Sequence, residues 1–225
     1  MLFLRGVVAS VSTALLVFST IPITGCGGDE PVTPSGPTNT EVLTPNAPPL
    51  PGQTECRVVM TTNIAIPAAV HVATCTPVTY ATNPPSGGDH WGQWAAFKKY
   101  TQTVPREMYV HDMEHGAVIL LYRCDGATCP EDVVAALEKV FDEAAGDPLC
   151  LSAGSTPKAR LVLTPDPDLD TPIAIAAWGA TYTATCIDTA SLAAFVSAHY
   201  GKGTETTCFN GQDLDITGPP MCTGT

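Results

Sequence analysis

The chain contains no Cys-x-x-Cys pair, no glycine-rich phosphate loop and no Gly-x-Ser-x-Gly elbow. Without the first there is no zinc knuckle, and Cys124 to Cys129 is too loose a spacing to make one. Gly87-Gly88 forms neither a Walker nor a dinucleotide fingerprint, which argues against nucleotide chemistry. Ser86 lies in PPSGG rather than at a strained strand-to-helix turn, which argues against a serine hydrolase. Basic residues are scarce too: ten Lys and Arg stand against 22 Asp and Glu, a formal charge of −12. Such a surface repels phosphate backbones and anionic membranes, so nucleic acid is excluded as a partner, while cations are favoured. Long apolar runs are missing as well. The longest, Val7 to Phe18, is short for a membrane span and has no stop-transfer charges after it.

That run instead belongs to an export signal. Arg5 is the one charge before it, and small residues precede Cys26. Ile23-Thr24-Gly25-Cys26 resembles the bacterial lipobox, which implies a signal peptide over residues 1–25 and lipidation of Cys26. The alternative is an ordinary secretory signal cleaved near Gly25. The lipobox is preferred because the cysteine ends the apolar segment. Gly27 rather than aspartate follows Cys26, which favours the periplasmic face of the outer membrane or the cell surface. Loss of Arg5 with the signal leaves nine bases against 22 acids, a formal charge of −13. The membrane is then a partner through the Cys26 lipid alone, and any protein partner is unknown.

Nine cysteines less Cys26 leave eight: Cys56, Cys75, Cys124, Cys129, Cys150, Cys186, Cys208 and Cys222. An even set in an exported chain reads as four disulfides, although about a hundred pairings are open. Oxidised sulfur is removed from the candidate metal ligands.

Residues 26–54 are rich in Pro, Thr and Gly and hold almost no large apolar side chain. The expectation is a solvated, partly polyproline tether reaching up to roughly 80 Å at about 3.1 Å per residue. Residues 55–225 then form one domain. CRVVM (Cys56–Met60) and AVHVATC (Ala69–Cys75) have strand character, and Trp91–Tyr100 reads as a short helix. GAVILLYRC (Gly116–Cys124) is a buried central strand. Thr128-Cys129-Pro130-Glu131 reads as a capping box opening a helix through Phe141. Strands follow at Ala159–Pro165, Pro172–Gly179 and Thr181–Cys186, with the acidic turn Asp166–Asp170 read as solvated rather than calcium-binding. A last helix starts at the N-cap Asp188 and ends before Gly201. This order gives an α+β fold, a mostly antiparallel sheet with helices packed on one face, stapled by disulfides into a single domain.

Asn83-Pro84-Pro85 with Gly88 and His90-Trp91, then VHDMEHGAVILLY, AIAAWG and HYGKG, resemble an uncharacterised bacterial domain-of-unknown-function family, DUF3105. The resemblance runs from about Tyr80 to Glu205, and the His-x-x-Glu-His-Gly block is its most specific part. Gly87 and Asp89 stand where the family pattern has serine and proline, and His90 stays in register. The resemblance implies no established activity. It does imply that the first loop and the second motif belong to one site.

His111 and His115 are four residues apart, so one helical turn places both imidazoles on one face. With His90 they form a candidate three-histidine site for zinc or copper, with an open position for water or substrate. Glu114 is then an orienting group or a general base beside a metal-bound water, and Asp89 and Asp112 are placed to orient an imidazole. Met108 and Met113 are softer candidates better suited to core packing. His71 and His199 read as structural. The function expected is metal binding, or metal-dependent chemistry on a small extracytoplasmic substrate. The alternative is a metal-free envelope interaction module using Trp91, Trp94 and Tyr100, with the histidines bonded to backbone carbonyls and carboxylates. An inverzincin-like metalloprotease ranks third, because Gly116 and a β-branched run follow His115 at once and leave room for about one turn of helix.

Overall fold

The computed structural model describes residues 36–126, 128–155, 158–205 and 207–222. Residues 1–25, read above as a signal peptide, and Cys26 lie outside these residues. Strands β1 (Asn39–Leu43), β2 (Val58–Thr62), β3 (His71–Val72) and β4 (His90–Trp91) precede helix α1 (Arg106–Glu114). Then come β5 (Val118–Tyr122), α2 (Glu131–Glu143), α3 (Pro148–Ser152), β6 (Leu161–Pro165), β7 (Ile173–Ala177) and β8 (Ala180–Ala184). Helices α4 (Thr189–His199) and α5 (Leu214–Thr217) complete the order.

The main sheet has the order β1-β2-β8-β7-β5-β6. Every pairing is antiparallel except β5 with β6. That exception follows from connectivity: a parallel neighbour needs a crossover, and α2 and α3 lie in the chain between β5 and β6. All five residues of β5 are buried. Val118, Leu120 and Tyr122 point to one side and Ile119 and Leu121 to the other, the period-two alternation of a strand covered on both faces. Each of Ile119, Leu120 and Leu121 contributes about 1.5–3 kcal/mol by leaving water.

The expected α+β class is the fold found, with α2 and α4 the helices packed on one face. Val133, Leu137, Val140 and Phe141 of α2 and Leu192, Phe195 and Val196 of α4 share a core with Val118, Leu120 and Ile175. The opposite face is covered by α1 together with the loop layer, through Met108, Tyr109, Met113, Trp91 and Tyr100. Four disulfides staple the domain: Cys56–Cys186, Cys75–Cys222, Cys124–Cys129 and Cys150–Cys208. The two longest loops close over separations of 130 and 147 residues, where cross-linking removes most disorder from the unfolded chain.

Several local expectations are corrected. The tether assigned to residues 26–54 reaches the fold early: β1 pairs along β2 from Asn39↔Thr62 to Leu43↔Val58. An edge strand needs only backbone hydrogen bonds, so its exposed side chains gave no apolar signal. Trp91–Tyr100 is not a helix. Its backbone bonds elsewhere: the Ala96 N–H donates to the Gln212 carbonyl and the Tyr100 N–H to the Leu163 carbonyl. Pro130, not Thr128, occupies the N-cap of α2, with no side-chain cap bond. At α4 the cap is as expected, Asp188 accepting from the Ser191 N–H. The acidic turn is not wholly solvated either. Asp166 is buried and accepts two hydrogen bonds from the Arg106 guanidinium at 3.0 Å and one from the Tyr109 hydroxyl at 3.0 Å.

Candidate metal centre

Three chain segments meet over the face of the sheet that α1 covers. The first is the β3–β4 ladder, a parallel pair whose register sets His71 opposite His90. Two contacts hold that register: the His90 N–H donates to the Val70 carbonyl at 3.2 Å, and the Val70 N–H donates to Asp89 Oδ1 at 3.0 Å. Side chains of directly opposed residues point the same way, so both imidazoles reach toward α1.

The second segment is α1 itself. It begins after Pro105, whose carbonyl receives the N–H groups of Met108 and Tyr109 at 3.0 and 3.1 Å. A prolyl φ suits a helix start, and the Arg106–Asp166 pair ties the first turn to the end of β6. The helix is two and a half turns rather than one, extending backward from the motif. All residues from Met108 to Glu114 are buried. Gly116 ends it at φ +83°, a conformation that lets the chain turn directly into β5.

The third segment follows α4. The Gly201 N–H donates to the Gly116 carbonyl at 2.9 Å and the Glu205 N–H to the Glu114 carbonyl at 3.0 Å. Gly203 lies so close beneath that an added Cβ would stand 2.1 Å from the Glu114 oxygen and 2.3 Å from the Gly116 nitrogen. Only glycine permits this approach, and it brings the Glu205 carboxylate to His115.

The side chains divide into two adjoining groups that could each hold a metal ion. In the first, one ligand atom from each of His71, His90, His111 and Glu114 lies within 4.8 Å of every other. Glu114 Oε2 is 3.0 Å from His90 Nε2, 3.3 Å from His71 Nε2 and 3.8 Å from His111 Nε2. Donor atoms around a tetrahedral ion with bonds of about 2.0–2.1 Å stand about 3.3–3.4 Å apart, close to these separations. The second group is Glu114, His115 and Glu205, with His115 Nε2 3.2 Å from Glu205 Oε2. The imidazoles of His111 and His115 have centroids 4.6 Å apart, and the Trp94 indole lies against both at 5.0 and 4.8 Å.

His90 and His111 thus meet as the sequence suggests, but His115 turns toward Glu205. Glu114, anticipated beside the histidines, stands among them. His71, expected to be structural, joins the cluster. Sequence reasoning missed it because β3 is only two residues long and the His71↔His90 register spans a Pro- and Gly-rich loop. Glu205 carried no signal beyond the glycines before it. His199 is outside both groups and lies tilted against Phe195, ring centroids 4.3 Å apart. Met108 and Met113 are fully buried in the core.

The orienting groups are also not the ones expected. His90 Nδ1 bonds the Gly88 carbonyl at 2.8 Å and His111 Nδ1 bonds the Trp91 carbonyl at 2.7 Å. A carbonyl only accepts, so each Nδ1 carries the proton and each Nε2 turns inward. Asp89 is committed to Val70, and Asp112 accepts from the Ala95 N–H at 3.3 Å. Backbone carbonyls reach these nitrogens because the loop crosses directly over α1.

Burial sets the protonation. It lowers His111 to about 3, against a smaller opposing effect of the Trp91 carbonyl, and lowers His115 to about 4, against the charge of Glu114. Both rings are therefore neutral at pH 7, the state that binds metals. Burial also pushes Asp112 well above the usual carboxylate range, and the Ala95 hydrogen bond only partly offsets it. Burial thus favours the protonated form of Asp112. Glu114 is fully buried, whereas the His71 side chain is 52% exposed, so water reaches the cluster from the His71 side. Trp91 and Tyr100, offered as partner-facing aromatics, are buried.

A family model described as "Protein of unknown function (DUF3105)" matches residues 71–210, and the chain belongs to that family. The matched segment starts at His71 and contains every residue of both groups. No curated protein and no solved structure matches the chain. Among the described residues no helix is long and apolar enough to cross a membrane.

Proposed function

We propose that this is an extracytoplasmic metal-binding lipoprotein, anchored through Cys26, whose centre is formed by His71, His90, His111 and Glu114. The observation that carries the reading is the pair of Nδ1–carbonyl bonds at His90 and His111. They fix the tautomer and aim both Nε2 atoms at the Glu114 carboxylate. A cation between an Nε2 lone pair and the carboxylate it faces turns both groups into ligands. Three imidazoles and one carboxylate suit zinc or copper(II), the ions that imidazole-rich sites hold most tightly among common divalent metals. The exposed side of His71 leaves room for a water or a small substrate on the ion. Four disulfides fit an oxidising compartment, where thiolate sites are not available. Elemental analysis of protein purified without a histidine tag tests the reading. At least one equivalent of zinc or copper per chain is expected, and a metal-free protein that also takes up neither ion on dialysis overturns it.

A further inference from the structure

The group formed by Glu114, His115 and Glu205 is not needed by the centre just described, yet it shares a residue with it. We propose that it binds a second divalent cation, so that Glu114 bridges two ions through its carboxylate. The inference rests on the reading of the first centre and extends it from one ion to two.

Three observations support it. Glu114 belongs to both groups, and in each the ligand atoms lie within 4.8 Å of one another. A carboxylate offers two oxygens, and paired ions in two-metal sites stand about 3.5–4 Å apart, a separation one carboxylate spans. Second, His115 is only 4% exposed, and its Nδ1 has no hydrogen-bond partner among the described residues. Its Nε2 faces Glu205 Oε2 at 3.2 Å, so the buried ring turns a nitrogen toward the second group. Third, the Glu205 carboxylate is delivered by a specific backbone device. Glycines at 201 and 203 and two main-chain hydrogen bonds press the segment onto the end of α1. A half-exposed carboxylate that merely touched a buried histidine would not require such a seat.

The two sites differ in character. The first has three imidazoles around a fully buried carboxylate. The second has one imidazole and two carboxylates, one of them, Glu205, 51% exposed. Fewer nitrogen ligands and an open side make the second ion the more weakly held and the more exchangeable. The open sides, at His71 and Glu205, leave coordination positions to water on both ions, as hydrolytic two-metal chemistry requires.

The test is zinc stoichiometry of the full mature protein, measured by equilibrium dialysis and elemental analysis after removal of bound metal. The wild type should take two equivalents, the second at least tenfold more weakly than the first. E205Q and H115A should each take one, with the tighter affinity retained. Glu205 is half exposed, so E205Q folds normally even if H115A does not, and the melting curve of each variant checks this. A wild type that stops at one equivalent, or an E205Q that still takes two, overturns the second site and leaves the first standing. A wild type that binds no zinc or copper overturns both.

Discussion

His71 and His90 are register partners in a two-residue parallel ladder, and their Nε2 atoms both meet one oxygen of Glu114, at 3.3 and 3.0 Å. The ladder sets two imidazoles side by side over Glu114, and a pair of two-residue strands adds little cohesion of its own. Replacing either histidine by alanine should weaken zinc affinity at least 100-fold, beyond the roughly 10–100-fold typical of orienting groups. His199→Ala should change it less than threefold. Competition against a chromophoric chelator measures all three, and equal affinities would remove the ladder from the site.

Asp112 carries a pH signature. Its folded-state pKa lies above its unfolded value, so the folded protein holds a proton that the unfolded chain releases. The associated stability is full below about pH 3.9 and is lost as pH rises toward the folded value. Asp112→Asn keeps the shape and cannot ionise. In metal-free protein its melting temperature relative to wild type should therefore increase from pH 4 to pH 8. A difference that stays constant over this range would show an ordinary Asp112.

The Arg106–Asp166 pair should be worth measuring by urea unfolding. The Asp166 side chain is 2% exposed, so Arg106→Ala strands a buried carboxylate that keeps, among the described residues, the Tyr109 hydroxyl and the Asp168 N–H. The expected loss is about 3 kcal/mol, at the lower end of what breaking a buried pair costs. A loss below about 1 kcal/mol would mean that the remaining donors suffice.

The anchor is tested in cells. Cys26→Ala should abolish lipid labelling and move the protein from the membrane to the soluble fraction. A variant that still sediments with membranes overturns the lipid-anchor reading while leaving the metal centre untouched.

The regular core was legible because its signals are local. The alternation in β5, the spacing of Val133, Leu137 and Val140, and the Asp188 cap each lie within a few residues. His90, His111 and Glu114 were legible as a neighbourhood because two motifs carried them. What escaped was everything set by distant pairing. β1 shows no apolar pattern because it is a mostly exposed edge strand held chiefly by its backbone pairing with β2. Trp91–Tyr100 has helical composition but spends its hydrogen bonds on Gln212 and Leu163. His71 and Glu205 enter the site through a two-residue register and a glycine seat, and neither leaves a mark in composition or period.

The Cys75–Cys222 bond joins a position four residues after His71 to one that follows Glu205. Every histidine and carboxylate of the two groups except His71 lies inside that covalent ring. In a chain that emerges from its amino end, His71 arrives first and waits for the rest. The ring can close only after Glu205 has followed, so the clasp forms once every side chain of both groups has been made.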